Sequence, residues 1–222
     1  MAFISIFDVI GPRMVGPSSS HTAGAVSIAL LAKKMCPGKI KKVEFVLYGS
    51  FAKTYRGHGT DKALLGGILG FSTEDLRIRD SFSLAKEAGI EFSFTTNEKE
   101  KEIHPNTVDI LMTNEEDLHL KLRGESLGGG KVRIAKINDV EVDFSGDYST
   151  LVVIQEDKPG VVAHITKCLS DCNVNIAFMK LFREDKGTTA YTIVESDEKI
   201  PQEVLKDIKE NSHVHEIMLI EI

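Results

Sequence analysis

The chain has 222 residues, of which 42% are hydrophobic and 27% charged, and its formal net charge is −6. That is the make-up of an ordinary globular protein, long enough for one large or two modest domains. The acidic balance argues against nucleic acid as a partner, and no apolar run is long enough to span a bilayer, so no membrane is expected.

Three cysteines, Cys36, Cys168 and Cys172, are too few and too scattered for a disulfide framework, which points to a reducing cytoplasm. The N-terminus, Met1 to Ile10, is apolar but short. It carries Asp8 and lacks a basic lead-in, so it reads as a buried first strand or helix rather than a signal peptide.

Residues 16–24, GPSSSHTAG, hold the densest set of functional groups, just before a run from Ala25 to Met35 that reads as helical. Free backbone N–H groups and the helix dipole favour an anion at such a place. A carboxylate can sit there with His21 beside it. A hydroxyl-rich N-cap is the plainer reading, although SSSHT (18–22) holds more hydroxyls than a cap needs.

A strand from Lys42 to Tyr48 leads into Gly49 and Ser50, then RGHGTD (56–61) and a helix-like run from Lys62 to Leu69. His58 thus echoes His21, an imidazole in a polar loop ahead of a helix. Thr60 or Asp61 can cap that helix. The two loops can converge on one small anion, with Arg56 as a charge clamp.

Next comes IHPN (103–106), ahead of a strand from Val108 to Met112. In an extended segment His104 and Asn106 would face one side and could hold a carboxylate and an amino group. An Asn/Pro turn is the local preference. GESLGGG (124–130) lies between strands Leu118–Leu122 and Val132–Ile137. It fails as a phosphate loop, because Glu125 and Val132 stand where that spacing needs Gly and Ser or Thr. Its glycines, Gly129 among them, read as a tight connection whose N–H groups can face a ligand. No nucleophile elbow and no pyridoxal-phosphate lysine setting is evident.

Composition shifts at FSGDY (144–148), a turn signal that divides the chain into 1–146 and 148–222. From Tyr148 onward there are 8 Lys/Arg and 13 Asp/Glu, a net −5, against −1 for the residues before it. In this second part the periodicity gives a strand (Leu151–Gln155), the turn DKPG (157–160), a helix (Val161–Cys172), two strands (Asn175–Phe182 and Thr188–Val194), a helix (Pro201–Asn211) and a last strand (Val214–Ile222). Cys168 and Cys172 share a face of the first helix, as packed thiols or part of a metal site. No third ligand lies close in sequence. The order β-α-β-β-α-β is that of a ferredoxin-like domain. With DKPGV (157–161) and NVNI (173–176), it resembles the ACT family, whose members usually sense amino acids or similar small ligands. The resemblance implies Asp157, Gly160, Val161 and Asn175 as ligand contacts, or an assembly surface that binds nothing.

Four pieces in order resemble the beta chains of bacterial iron–sulfur L-serine dehydratases of the two-subunit form. They are GPSSSHTAG (16–24), YGS (48–50) with GHGTD (57–61), HPN (104–106) and SLGGG (126–130). The resemblance implies an α+β protein, an N-terminal α/β domain of the allosteric-substrate-binding type followed by the ACT domain. It implies conversion of L-serine to pyruvate and ammonia with a [4Fe–4S] cluster whose ligands lie in a partner alpha subunit, so no metal ligand is expected here.

In that picture His21, Ser19, Ser20 and Thr22 serve catalysis. Ser18, His58, Thr60 and Gly129 bind substrate, and His104 and Asn106 bind regulatory serine. Self-association through both domains is expected. Two other readings stay open. One is an amino-acid sensor docked on another enzyme. The other is a serine hydrolase using Ser19 or Ser20 with His21, which is weaker because adjacent residues rarely reach that geometry.

Overall fold

The computed structural model describes residues 13–221, so the expected N-terminal strand or helix within Met1–Ile10 lies outside the described residues. The chain divides into two compact units, one up to Asn138 and one from Asp139.

The first unit is a mixed sheet faced by helices. After a single π-type turn, Ser19–Ala23, comes α1 (Gly24–Met35), whose apolar residues Ala25, Val26, Ile28, Ala29 and Ala32 are fully buried. Then follow β1 (Ile40–Tyr48), α2 (Gly49–Thr54), α3 (Thr60–Ile68), a short 3₁₀ turn (Leu76–Asp80), α4 (Ser81–Glu87), β2 (Glu91–Asn97), β3 (Thr107–Asn114), β4 (His119–Gly128) and β5 (Lys131–Ile137).

The strands pair in the order β2-β1-β3-β4-β5. β1 and β2 run parallel, joined by the helical crossover such a pair requires. The other pairs are antiparallel. Phe45 and Phe94 stack across β1 and β2 at 4.7 Å between ring centroids.

Several expectations change here. Gly49 and Ser50, read as loop, open α2, because Phe51 and Ala52 gain burial by turning inward. Neither Thr60 nor Asp61 caps α3. Gly59 holds that place in a left-handed conformation, and Asp61 bonds the adjacent Lys62 N–H instead. Most of 124–130 is strand rather than connection, since Glu125 pairs with Arg133 and only the left-handed Gly128, Gly129 and Gly130 turn the hairpin.

The second unit opens with β6 (Val140–Phe144). It continues through β7 (Ser149–Glu156), α5 (Val161–Asp171), β8 (Phe178–Arg183), β9 (Thr189–Ser196), α6 (Gln202–Lys209) and β10 (Val214–Ile220). From β7 on, the order is the expected βαββαβ, with an antiparallel sheet β10-β7-β9-β8. Leu151, Val153 and Val194 pack with Val161, Ile165, Leu169, Val204 and Ile208 from the two helices. β8 starts at Phe178, three residues after the expected Asn175. No described helix is long and apolar enough to cross a membrane.

Candidate functional site

Three neighbouring strands, β1, β3 and β4, share a buried polar cluster next to the end of β1. Asp109 on β3 is only 3% exposed. It accepts from Arg123 Nε at 2.6 Å and Nη2 at 2.9 Å, and from the Tyr48 hydroxyl at 2.8 Å. Arg123 also reaches Glu100 at 3.0 Å. This bidentate pair holds its guanidinium charge firmly, the Asp109 bonds raising the Arg123 pKa. It fixes the end of β1, from which α2 starts.

The His21 turn lies at the start of α1, which packs on the Gly124 and Ser126 side of β4. Ser18 is extended and its Oγ accepts the His21 N–H at 3.1 Å, so the expected cap exists. The remaining hydroxyls go elsewhere. Ser20 Oγ lies 3.0 Å from His21 Nδ1, and Ser50 Oγ, from α2, lies 2.9 Å from His21 Nε2. Both ring nitrogens therefore face hydroxyls. Ser19 begins the turn, its carbonyl accepting the Gly24 N–H. The adjacent Ser20 and His21 do meet, contrary to expectation, because the wide π-type turn folds the serine back onto the ring. Burial, and then the nearby His58, lower the His21 pKa. The two imidazoles lie 4.8 Å apart between ring centroids.

The HPN segment packs against the same place. The Pro105 carbonyl accepts from Ser50 N–H at 2.6 Å and from Phe51 N–H at 3.3 Å. Gly49 has φ +52°, and a Cβ there would stand 2.6 Å from that carbonyl oxygen. Only glycine fits. His104 and Asn106 form a turn rather than an extended pair. The His104 Nδ1 accepts the Asn106 N–H at 3.3 Å and the Thr107 hydroxyl donates to the His104 carbonyl at 2.6 Å.

Asn106 in turn is tied to Ser126. Its Nδ2 donates to the Ser126 carbonyl at 3.4 Å and its own carbonyl accepts the Ser126 N–H at 2.9 Å. Ser126 is fully buried, its Oγ has no hydrogen-bond partner, and a Cβ on Gly24 would lie 2.0 Å from it. Gly24 opens the helix that carries the His21 turn. All four sequence pieces thus close into one ring.

The two histidine loops also converge, as expected. Thr22, 2% exposed, donates its hydroxyl to the His58 carbonyl at 3.2 Å. Between the loops is a cavity of about 350 Å³ lined by Thr22, Arg56, His58, Asp61, Lys62 and Arg79 among others. Three cations thus face one carboxylate, and burial raises the Asp61 pKa. His58 Nδ1 and the fully buried Thr60 Oγ1 have no hydrogen-bond partners. A small anion would suit such a cavity. Gly129 lies in the β4–β5 turn, three residues past Ser126.

The sequence reading missed Ser50 and Ser126 as members of the site. Their signal was present, since both lie in the quoted motifs, but only the fold reveals that each meets the His21 turn.

In the second unit, Asp157 accepts from Gly187 N–H at 2.9 Å and Arg183 Nη1 at 3.2 Å, bracing the β8–β9 hairpin. Gly160 caps α5 and Val161 is buried in the core. Asn175 N–H donates to Glu198 at 2.9 Å.

Among the described residues no three His, Cys, Asp or Glu side chains gather to hold a metal. Cys168 packs in the core with Cys172 against it, and burial raises both thiol pKa values away from the thiolate a metal needs. The described residues of this chain do not fit an iron–sulfur cluster.

Residues 5–136 match the family described as serine dehydratase beta chain, and residues 149–213 match the ACT domain. The chain is 42% identical to the L-serine dehydratase beta chain of Peptoniphilus asaccharolyticus, covering 93% of this chain and 92% of that one. It is 37% identical to a protein of Bacillus subtilis (strain 168) named as the probable L-serine dehydratase beta chain, over 98% of each. A D-3-phosphoglycerate dehydrogenase of Methanocaldococcus jannaschii is 24% identical, over 96% of this chain and 40% of that protein.

Proposed function

The chain belongs to the serine dehydratase beta chain family, and from that premise we propose that it is the beta subunit of an enzyme that converts L-serine to pyruvate and ammonia. The observation that carries this reading is the ring of four segments around His21, with a hydroxyl at each ring nitrogen. Such caging orients an imidazole, and its lowered pKa keeps it neutral near pH 7, ready to accept a proton. Ser19, Ser20 and Thr22 shape the turn that presents it. Ser18, His58, Thr60 and Gly129 are the substrate-binding residues in this reading, and the cations of the neighbouring cavity suit the serine carboxylate.

A [4Fe–4S] cluster belongs to the partner alpha subunit in this reading, where it supplies a Lewis acid for the leaving hydroxyl. The part of this chain is to bind, orient and hold the proton. His104 and Asn106 take a second, regulatory serine, only a turn away from Ser50. The domains run 1–146 and 148–222. Asp157, Gly160, Val161 and Asn175 are the contact residues of any ACT ligand, the assembly self-associates through both domains, and the complex works in the cytoplasm. The relatives carry dehydratase names, which favours a subunit over a stand-alone sensor.

The test is anaerobic co-expression with the alpha chain and a pyruvate assay. His21→Ala should lower kcat by about 10²–10⁴-fold, the range of a lost general base. A fully active His21→Ala complex, or full activity in this chain alone without iron, would reject the reading.

A further inference from the structure

We infer that Ser50 is a positioning residue for His21, and that the Pro105 carbonyl sets where Ser50 stands. The inference rests on the reading of His21 as the proton-handling group, and adds a residue outside the SSSHT turn.

Ser20 is the neighbour of His21 in sequence, and its contact with Nδ1 moves with the turn itself. A ring held only through its own turn can still rotate about its side-chain bonds. Ser50 supplies the second, independent anchor, on the opposite nitrogen and from a different element. Two anchors on opposite nitrogens fix the ring plane. In either neutral tautomer one nitrogen accepts and the other donates, and a serine hydroxyl can serve either, so both contacts hold.

Ser50 is itself held on three sides. Its N–H donates to the Pro105 carbonyl at 2.6 Å, and its own carbonyl accepts the Thr54 hydroxyl at 2.8 Å. The left-handed Gly49 lets the backbone come that close to Pro105. Behind it, Tyr48 is fixed by Asp109. The Ser50 hydroxyl therefore stands at a place set by β1, α2 and the HPN turn together, and His21 adapts to it.

Two measurements decide this. The first is NMR relaxation of the His21 ring in the full chain without its partner. The native ring should be rigid, and Ser50→Ala should make it mobile. Ser50→Thr, which keeps a hydroxyl, should restore most of the rigidity. Gly49→Ala should give the mobile ring with every serine intact, because its methyl pushes the backbone off Pro105. The second is turnover of the co-expressed complex. Ser50→Ala should lower kcat by about 10²-fold, the cost of misplacing a reacting group by about an ångström, with KM changed less than about threefold.

Unchanged ring mobility in Ser50→Ala would overturn the inference. So would a mobile ring with kcat within about twofold of native. If no complex of the native chain forms pyruvate, the proposed function fails, while the NMR measurement still decides whether Ser50 orients His21.

Discussion

The two units use their loops in opposite ways. In the first, four separated segments turn their side chains and carbonyls toward one imidazole, and buried polar atoms such as Ser126 Oγ, His58 Nδ1 and Thr60 Oγ1 are left without partners. In the second, the loop that most resembles a ligand site is occupied with structure. The Asp157 carboxylate braces a hairpin, Val161 fills the core and Asn175 is held by Glu198. Unpartnered buried groups cost stability and occur in both units, but those of the first lie in the motif segments themselves, where a substrate has something to satisfy, whereas those of the second, Ser149, Gln155, Thr192 and Glu195, lie in strands β7 and β9. A motif alone does not separate the two cases. What the polar groups are already doing does.

The contrast can be broken at several points. The largest effect is expected at the buried ion pair of the first unit. Asp109→Ala leaves the Arg123 charge buried without its bidentate partner and should cost about 3–5 kcal/mol, read by urea unfolding of the full chain. Gly24→Ala should cost about 1–3 kcal/mol, because its methyl meets Ser126 Oγ in a packed core. Activity of the complex should fall with it.

Asp157→Ala in the second unit removes two hydrogen bonds from a charged acceptor and should cost about 1–2 kcal/mol with pyruvate formation unchanged. A large loss of turnover there would erase the distinction between the units.

The pH dependence gives a subtler test. The folded pKa of His21 lies below the unfolded value of 6.5. The unfolded chain therefore binds the extra proton first, and the stability contributed by this group falls as pH drops below about 6.5. If neutral His21 takes the proton, the acid limb of kcat/KM also lies below that value, and a limb well above it would contradict the role. The smallest effect concerns the thiols. With both pKa values raised by burial, Cys168 and Cys172 should react slowly with iodoacetamide at neutral pH, and Cys172→Ser should leave turnover unchanged.

Much of this was legible in the sequence. The second unit was read nearly complete, because its apolar residues alternate or recur with clear periods and its turns carry Pro, Gly and Asn. In the first unit, both histidine loops were visible as hydroxyl- and glycine-rich runs ahead of helices. The stretch from Leu76 to Asn97 was not read at all. Its strand β2 lies at the sheet edge and is mostly exposed, and its alternation is short, Phe92 and Phe94 against Glu91, Ser93 and Thr95. α2 was missed because six residues give too little period to see. Convergence was the deeper limit. Asn106–Ser126 are neighbours through the β3–β4 pairing and His21–Ser50 through the meeting of a turn and a helix, which no local spacing encodes.

The ring around His21 has a consequence for how the protein is made. Its contacts span 29 residues from His21 to Ser50, 36 from Thr22 to His58 and 20 from Asn106 to Ser126. Contacts so distant along the chain must overcome loop-closure entropy and form late in folding. The imidazole gains its bearings only when β1, β3 and β4 are already paired. A chain emerging from the ribosome, or one partly unfolded by heat, therefore carries every residue of the site and none of its chemistry. In refolding experiments the His21 resonances should reach their native positions with the slowest phase, which makes this one side chain a reporter of whether the whole first unit has assembled.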